Sequence, residues 1–115
     1  MIRITIPIFH NRVSPVLDTC TRLLIIDFEG KVGVERREIS FDVYSPSERF
    51  EIVKKLKPDA IICCGISEVF DKMLQSAGIR LISGIAGDVE EVAEAFLSNR
   101  IDDPCFRMPG YKEGG

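Results

Sequence analysis

Residues 45–67, SPSERFEIVKKLKPDAIICCGIS, decide the fold. Ser45, Pro46, Ser47 and Glu48 form a capping box with proline at the first helical position. Phe50, Val53 and Leu56 recur at helical spacing and give that helix one apolar stripe. Lys54, Lys55 and Lys57 load its carboxyl end, where cations suit the helix dipole. Pro58 stops it. Asp59 to Cys64 is then a short, continuously apolar run, the pattern of a strand buried on both faces. Gly65-Ile66-Ser67 follows at once, and Ser67 is placed to cap a second helix. Helix, doubly buried strand and helix in succession are the crossover unit of a parallel sheet.

Downstream, Val69, Phe70, Met73, Leu74 and Ala77 keep helical spacing, and Gly78 suits a helix C-terminal cap. Ile79 to Ser83 predicts a fifth strand, and Gly84 to Gly87 a small loop. Asp88 with Glu91 predicts another capping box, with Val89, Val92, Ala93, Phe96 and Leu97 facing the core. Upstream the pattern is all β. Ile2, Ile4, Ile6 and Ile8 alternate at period two. His10 to Pro15 is a polar loop, Leu23 to Ile26 a second strand, Glu29-Gly30-Lys31 a hairpin turn, and Lys31 to Phe41 a third strand.

The order is therefore β-β-β-α-β-α-β-α. A meander followed by right-handed crossovers predicts a five-stranded mixed sheet in the order 3-2-1-4-5, with strand 2 antiparallel. That is a three-layer α/β architecture of the ribonuclease H-like kind. Strands one and four become neighbours whose connections leave in opposite directions, which opens a crevice at their carboxyl ends. Residues 1–100 make the single domain, and 101–115, with Pro104 and Pro109, a polar tail that drapes or frays.

Composition removes several function classes. Lys and Arg number 15 against 18 Asp and Glu, a net charge of −3, which argues against a general nucleic-acid binder, since that needs a basic face. No apolar run approaches the roughly 20 residues that span a bilayer. The opening MIRITIPIF lacks the apolar segment and cleavage site of a signal peptide, so the expected location is cytoplasmic. There the four cysteines, Cys20, Cys63, Cys64 and Cys105, are expected to be reduced. No C-x-x-C pair is written among them. Phosphate-binding glycine loops of the nucleotide enzymes are missing, and strand one carries none of the carboxylates that two-metal nuclease chemistry needs. Asp18, Asp27 and Asp59 fall at loops or strand ends, where a solvated aspartate is the simple explanation.

What remains is the crevice. His10, the only histidine, lies just beyond strand one, and Cys64 at the end of strand four. Imidazole and thiolate both suit iron, so the two together are candidate ligands of a soft, anionic metal cluster. Arg12 and the backbone amides of Gly65, Ile66 and Ser67 would offset its charge, with Gly65 allowing close approach. A rival is nucleophilic catalysis, with Cys64 lowered in pKa by the helix N-terminus and His10 as its base, although no third orienting group is evident. The plain reading makes His10 a surface residue and most of the cysteines small buried apolar groups.

The opening IPIFHNRVSPVLDTCTRLLIIDFEG resembles the start of the dinitrogenase iron–molybdenum cofactor biosynthesis family, as a NifX-like stand-alone domain. Residues 12–18, RVSPVLD, match its turn motif. Residues 59–66, DAIICCGI, resemble its second landmark, a strand running into a glycine-rich turn. Residues 77–79, AGI, and 87–92, GDVEEV, look like the third and fourth. The chain departs from the pattern at Cys64, where relatives often carry a second glycine. The resemblance implies a ribonuclease H-like fold and no enzyme. It also implies a carrier for an iron–sulfur or iron–molybdenum-type cluster that serves a metallocofactor assembly or recipient protein. A metal-free regulatory or protein-interaction module is the alternative, and a thiol-dependent enzyme using Cys64 the third reading.

Overall fold

A computed structural model describes residues 1–102 and 104–106. The elements run β1 (Ile2–Phe9), β2 (Arg12–Val13), β3 (Arg22–Glu29), β4 (Val32–Ser40), α1 (Pro46–Leu56), β5 (Ala60–Ile62), α2 (Glu68–Ser76), β6 (Leu81–Ile82) and α3 (Val89–Leu97). A short 3-10 turn spans Pro104–Phe106. They form a mixed α/β domain whose sheet has the order β4-β3-β1-β5-β6, with β2 paired to β1. β1 lies antiparallel to β3, with Ile4 opposite Ile26, and parallel to β5, with Thr5 beside Ile61. β5 and β6 are also parallel. The predicted strand order holds, but among the described residues the sheet has six strands rather than five. The addition, β2, is two residues long, too short to carry any periodicity.

The helices form where their caps dictate. Ser45 accepts from the Glu48 N–H and Glu48 returns the bond to the Ser45 N–H, a complete capping box. α1 ends at Lys57, in the left-handed region at φ 51°, directly before Pro58. Ser67 caps α2 and Asp88 caps α3, the latter accepting from both the Glu90 and Glu91 amides.

Two apolar layers sandwich the sheet. On one face Ile4, Ile6 and Ile8 pack with Leu24, Ile26, Ile62 and the α3 residues Val92 and Ala95. On the other Leu23, Ile61 and Cys63 pack against Val53 of α1 and Phe70 and Leu74 of α2. β5 is buried on both faces as its sequence predicts. Each fully buried isoleucine contributes about 1.5–3 kcal/mol. The hydroxyl of Thr5, buried between Ile25 and Ile61, has no hydrogen-bond partner among the described residues.

Two expectations change. Two residues assigned to the tail, Ile101 and Phe106, enter the α3-side core, and the Ala86 N–H donates to the Phe106 carbonyl at 2.6 Å. Residues 103 and 107–115 lie outside the described ones. Asp27 is not a solvated strand-end carboxylate but is buried. Arg3 donates to both its oxygens, at 2.7 and 3.1 Å, and to the Leu56 carbonyl at 2.7 Å. That guanidinium fastens β3 and the end of α1 to β1, while Asp59 accepts from the Arg3 amide. No helix of the described residues is long and apolar enough to cross a membrane.

Candidate functional site

At the carboxyl end of β1 the chain reverses within two residues. Phe9 pairs with Arg12 and Ile8 with Val13, so His10 and Asn11 are the turn. His10 has φ 56°, in a tight hairpin where glycine, asparagine or aspartate is usual. Its ring meets the Phe9 ring edge-on at 4.3 Å, and both side chains are exposed. The returning strand then reaches the loop after β6. The Val13 N–H donates to the Gly87 carbonyl at 3.0 Å, and the Val89 N–H donates to the Asn11 carbonyl at 2.8 Å.

The next residues cross the end of β5. The Gly65 N–H donates to the Pro15 carbonyl at 2.8 Å and the Leu17 N–H donates to the Gly65 carbonyl at 2.9 Å. Leu17 is buried in the α1–α2 layer. A Cβ on residue 65 would lie 2.8 Å from the Pro15 oxygen, so only glycine fits. Gly65 does permit a close backbone approach, but what approaches is the chain's own residues 15–17. They fill the crevice predicted between the carboxyl ends of β1 and β5. The RVSPVLD motif is thus a clasp that closes the switch point.

Asp18 ends the clasp. Its carboxylate accepts from the Ser67 N–H at 2.7 Å and from the Ser67 hydroxyl at 2.5 Å, while that hydroxyl accepts from the Phe70 N–H at 3.1 Å. The positive end of α2 is therefore already neutralised by a carboxylate. Arg49 of α1, buried, donates to the Asp18, Cys20 and Tyr44 carbonyls at 2.6, 2.9 and 3.1 Å. Its guanidinium lies 5.5 Å from the Phe41 ring centroid. Sequence reasoning missed both residues: Asp18 resembles any loop acid, and Arg49 sits in a helix rich in charge.

The loops that carry the predicted site residues, after β1, β5 and β6, are joined by backbone bonds at one end of the sheet. Arg12 is exposed and bridges backbone-to-backbone with Asp88. The amides of Gly65 and Ser67 already donate inside the protein, which leaves Ile66 as the amide of the three not so engaged among the described residues. Cys64, half-buried at the end of β5, accepts through its carbonyl from the Gly84 N–H at 2.8 Å. Burial pushes its thiol pKa up rather than down. α2 begins at Glu68, behind the Ser67 cap. Among the described residues no three His, Cys, Asp or Glu side chains gather as a metal site. His10 and Cys64 would supply two soft donors. Cys20 and Cys63 are buried, with pKa values pushed up to about 11 and about 12 by that burial.

No family model matches the chain, and no curated protein matches it in sequence. Solved structures do match in fold. One is a Methanocaldococcus jannaschii protein described as "a putative dinitrogenase", with TM-score 0.72 and 23% identity over 85% of this chain and 89% of that one. Another is described as "a putative NifB protein" of the DUF35 family from Thermotoga, with TM-score 0.72 and 16% identity over the whole of both chains. A third is the apo form of the orange protein from Desulfovibrio gigas, with TM-score 0.71 and 15% identity over 87% and 90%. At these identities the likeness establishes a common fold.

Proposed function

We propose that the chain is a non-catalytic carrier of an anionic iron–sulfur or iron–molybdenum-type cluster, exchanged with a metallocofactor assembly or recipient protein. The observation that carries this reading is the rim itself. Backbone bonds stitch three loops into one rigid edge, and a histidine holds a left-handed turn position there. Non-glycine residues kept in such conformations concentrate at functional sites. Two donors suit cargo rather than a resident cofactor, because a cluster with few protein bonds leaves easily. His10 and Cys64 would be the ligands, coordination lowering the thiol pKa so that its proton passes to water. Arg12 and the Ile66 amide would offset the negative charge. The matched folds include proteins described as dinitrogenase-type and NifB-type, which supports a place in cofactor biosynthesis. The three layers are taken as ribonuclease H-like and the setting as cytoplasmic.

The test is anaerobic reconstitution with iron and sulfide, followed by gel filtration. A carrier emerges with visible absorbance and bound iron; a chain that emerges colourless and iron-free is not one. The second reading, a metal-free interaction module, draws on exposed apolar residues along the same rim, Phe9, Val16 and Val69. Iron-free protein that still captures an assembly protein would favour it.

A further inference from the structure

At the opposite end of the sheet, the carboxyl ends of α1 and α2 converge around an open hollow of about 680 Å³. Its apolar wall is Phe50, Met73 and Ile79, and its rim carries Lys54, Lys57 and Lys72. No carboxylate lines it, although the chain as a whole is acidic. Each lysine alone has an ordinary explanation. Lys54 and Lys57 oppose the α1 dipole, and Lys72 pairs with Glu68 at 2.9 Å. Together they are less ordinary, since three lysines, from α1, its C-cap and α2, line one depression. Glu51 and Glu68 partner Lys54 and Lys72 from the exposed outer turns, outside the lining. Lys57 forms no ion pair among the described residues and holds the left-handed backbone that ends α1. The Lys54 ammonium lies 5.4 Å from the Phe50 ring centroid, so cation and aromatic surface are presented side by side.

We infer that this hollow is a second binding site, for a nucleotide-sized organic anion that joins a flat apolar ring to a phosphate. The volume falls within the range of small-molecule pockets, roughly 300–1,000 Å³. Phe50, Met73 and Ile79 offer the ring an apolar seat, and the lysines take the phosphate. Because it lies at the amino ends of β5 and β6, this site is independent of the proposed cluster rim.

The experiment is a titration of the intact protein with adenosine 5′-monophosphate, followed by amide NMR shifts. Adenosine and inorganic phosphate serve as separate arms. The expected result is saturable movement of signals from residues 50–58 and 72–79 at up to roughly millimolar ligand. Each fragment alone should bind at least about tenfold more weakly, and added salt should weaken the nucleotide. The K54Q/K57Q/K72Q variant changes only exposed side chains and should fold, yet lose at least about tenfold in affinity. Shifts that never saturate, that map to other surfaces, or that survive unchanged in the triple variant overturn the proposal. Phosphate binding as tightly as the nucleotide would also overturn it, leaving a simple anion patch.

Discussion

Replacing Gly65 by alanine tests the clasp directly. Residue 65 is not among the glycines with positive φ, so alanine meets no backbone penalty there. The unfolded chain even loses entropy, which favours alanine by about 0.4–1 kcal/mol. Against this, the new Cβ lies 2.8 Å from the Pro15 oxygen, a backbone atom that no rotamer change can move aside. Relief requires residues 15–17 to retreat by several tenths of an ångström. That retreat lengthens both Gly65 hydrogen bonds, each contributing about 0.5–1.5 kcal/mol. Overpacking of this kind costs about 1–3 kcal/mol. The balance is a loss of about 2 kcal/mol, or roughly 8 °C in melting temperature for a chain of this size. Urea unfolding against the wild type measures it. Gly33→Ala is the control, because a Cβ there meets only Phe28 ring atoms at ordinary contact distance. If Gly65→Ala unfolds at the wild-type midpoint, the clasp is not rigid and the account of the rim fails.

Thr5→Val should stabilise the fold by about 1 kcal/mol, since it removes a buried hydroxyl without a partner among the described residues; a denaturant midpoint that falls would mean Thr5 is satisfied. The hydrogen bond from Arg3 holds the Asp27 carboxyl below its ordinary value of 3.8. With the folded pKa below the unfolded one, that stability is complete above the unfolded range and disappears as pH falls through the folded value. Wild type should therefore lose more stability than Asp27→Asn on acidification below about pH 4, and parallel losses would show that the pair is not coupled to folding. Cys20 and Cys63, with pKa values of about 11 and about 12, should resist a thiol reagent near neutral pH until the chain is unfolded. Rapid native-state labelling of either, read by mass spectrometry, would contradict their burial.

Local signals carried most of the fold. The isoleucine alternation of β1, the Ser45–Glu48 box and the unbroken apolar β5 each follow from nearest neighbours in the sequence, and together they order the long strands. What could not be read is held by distant backbone. Pro15 meets Gly65, Asn11 meets Val89 and Ala86 meets Phe106, and none of these leaves a periodic mark. For that reason the sequence pattern alone predicts an open crevice, a loop where β2 forms, and a tail that includes Ile101 and Phe106. That three loops meet at one end of the sheet was legible in the sequence. Their chemistry was less so, because the availability of Gly65 and Ser67 depends on Pro15 and Asp18, fifty residues earlier and one helix away.

The central claim rests on two ligands, so the decisive measurement is iron retained per chain after anaerobic reconstitution and gel filtration. Wild type is compared with the His10→Ala/Cys64→Ala double variant, Arg12→Ala and Cys105→Ala. All four side chains are exposed or half-buried, so each variant should fold. Loss of ligand bonds costs more than loss of one charge contact, typically about 1.5–3 kcal/mol. The account predicts the most iron in wild type, less in Arg12→Ala and almost none in the double variant, while Cys105→Ala tests whether that thiol, beside the Gly87 loop, adds a donor. A double variant that retains as much iron as wild type would contradict it.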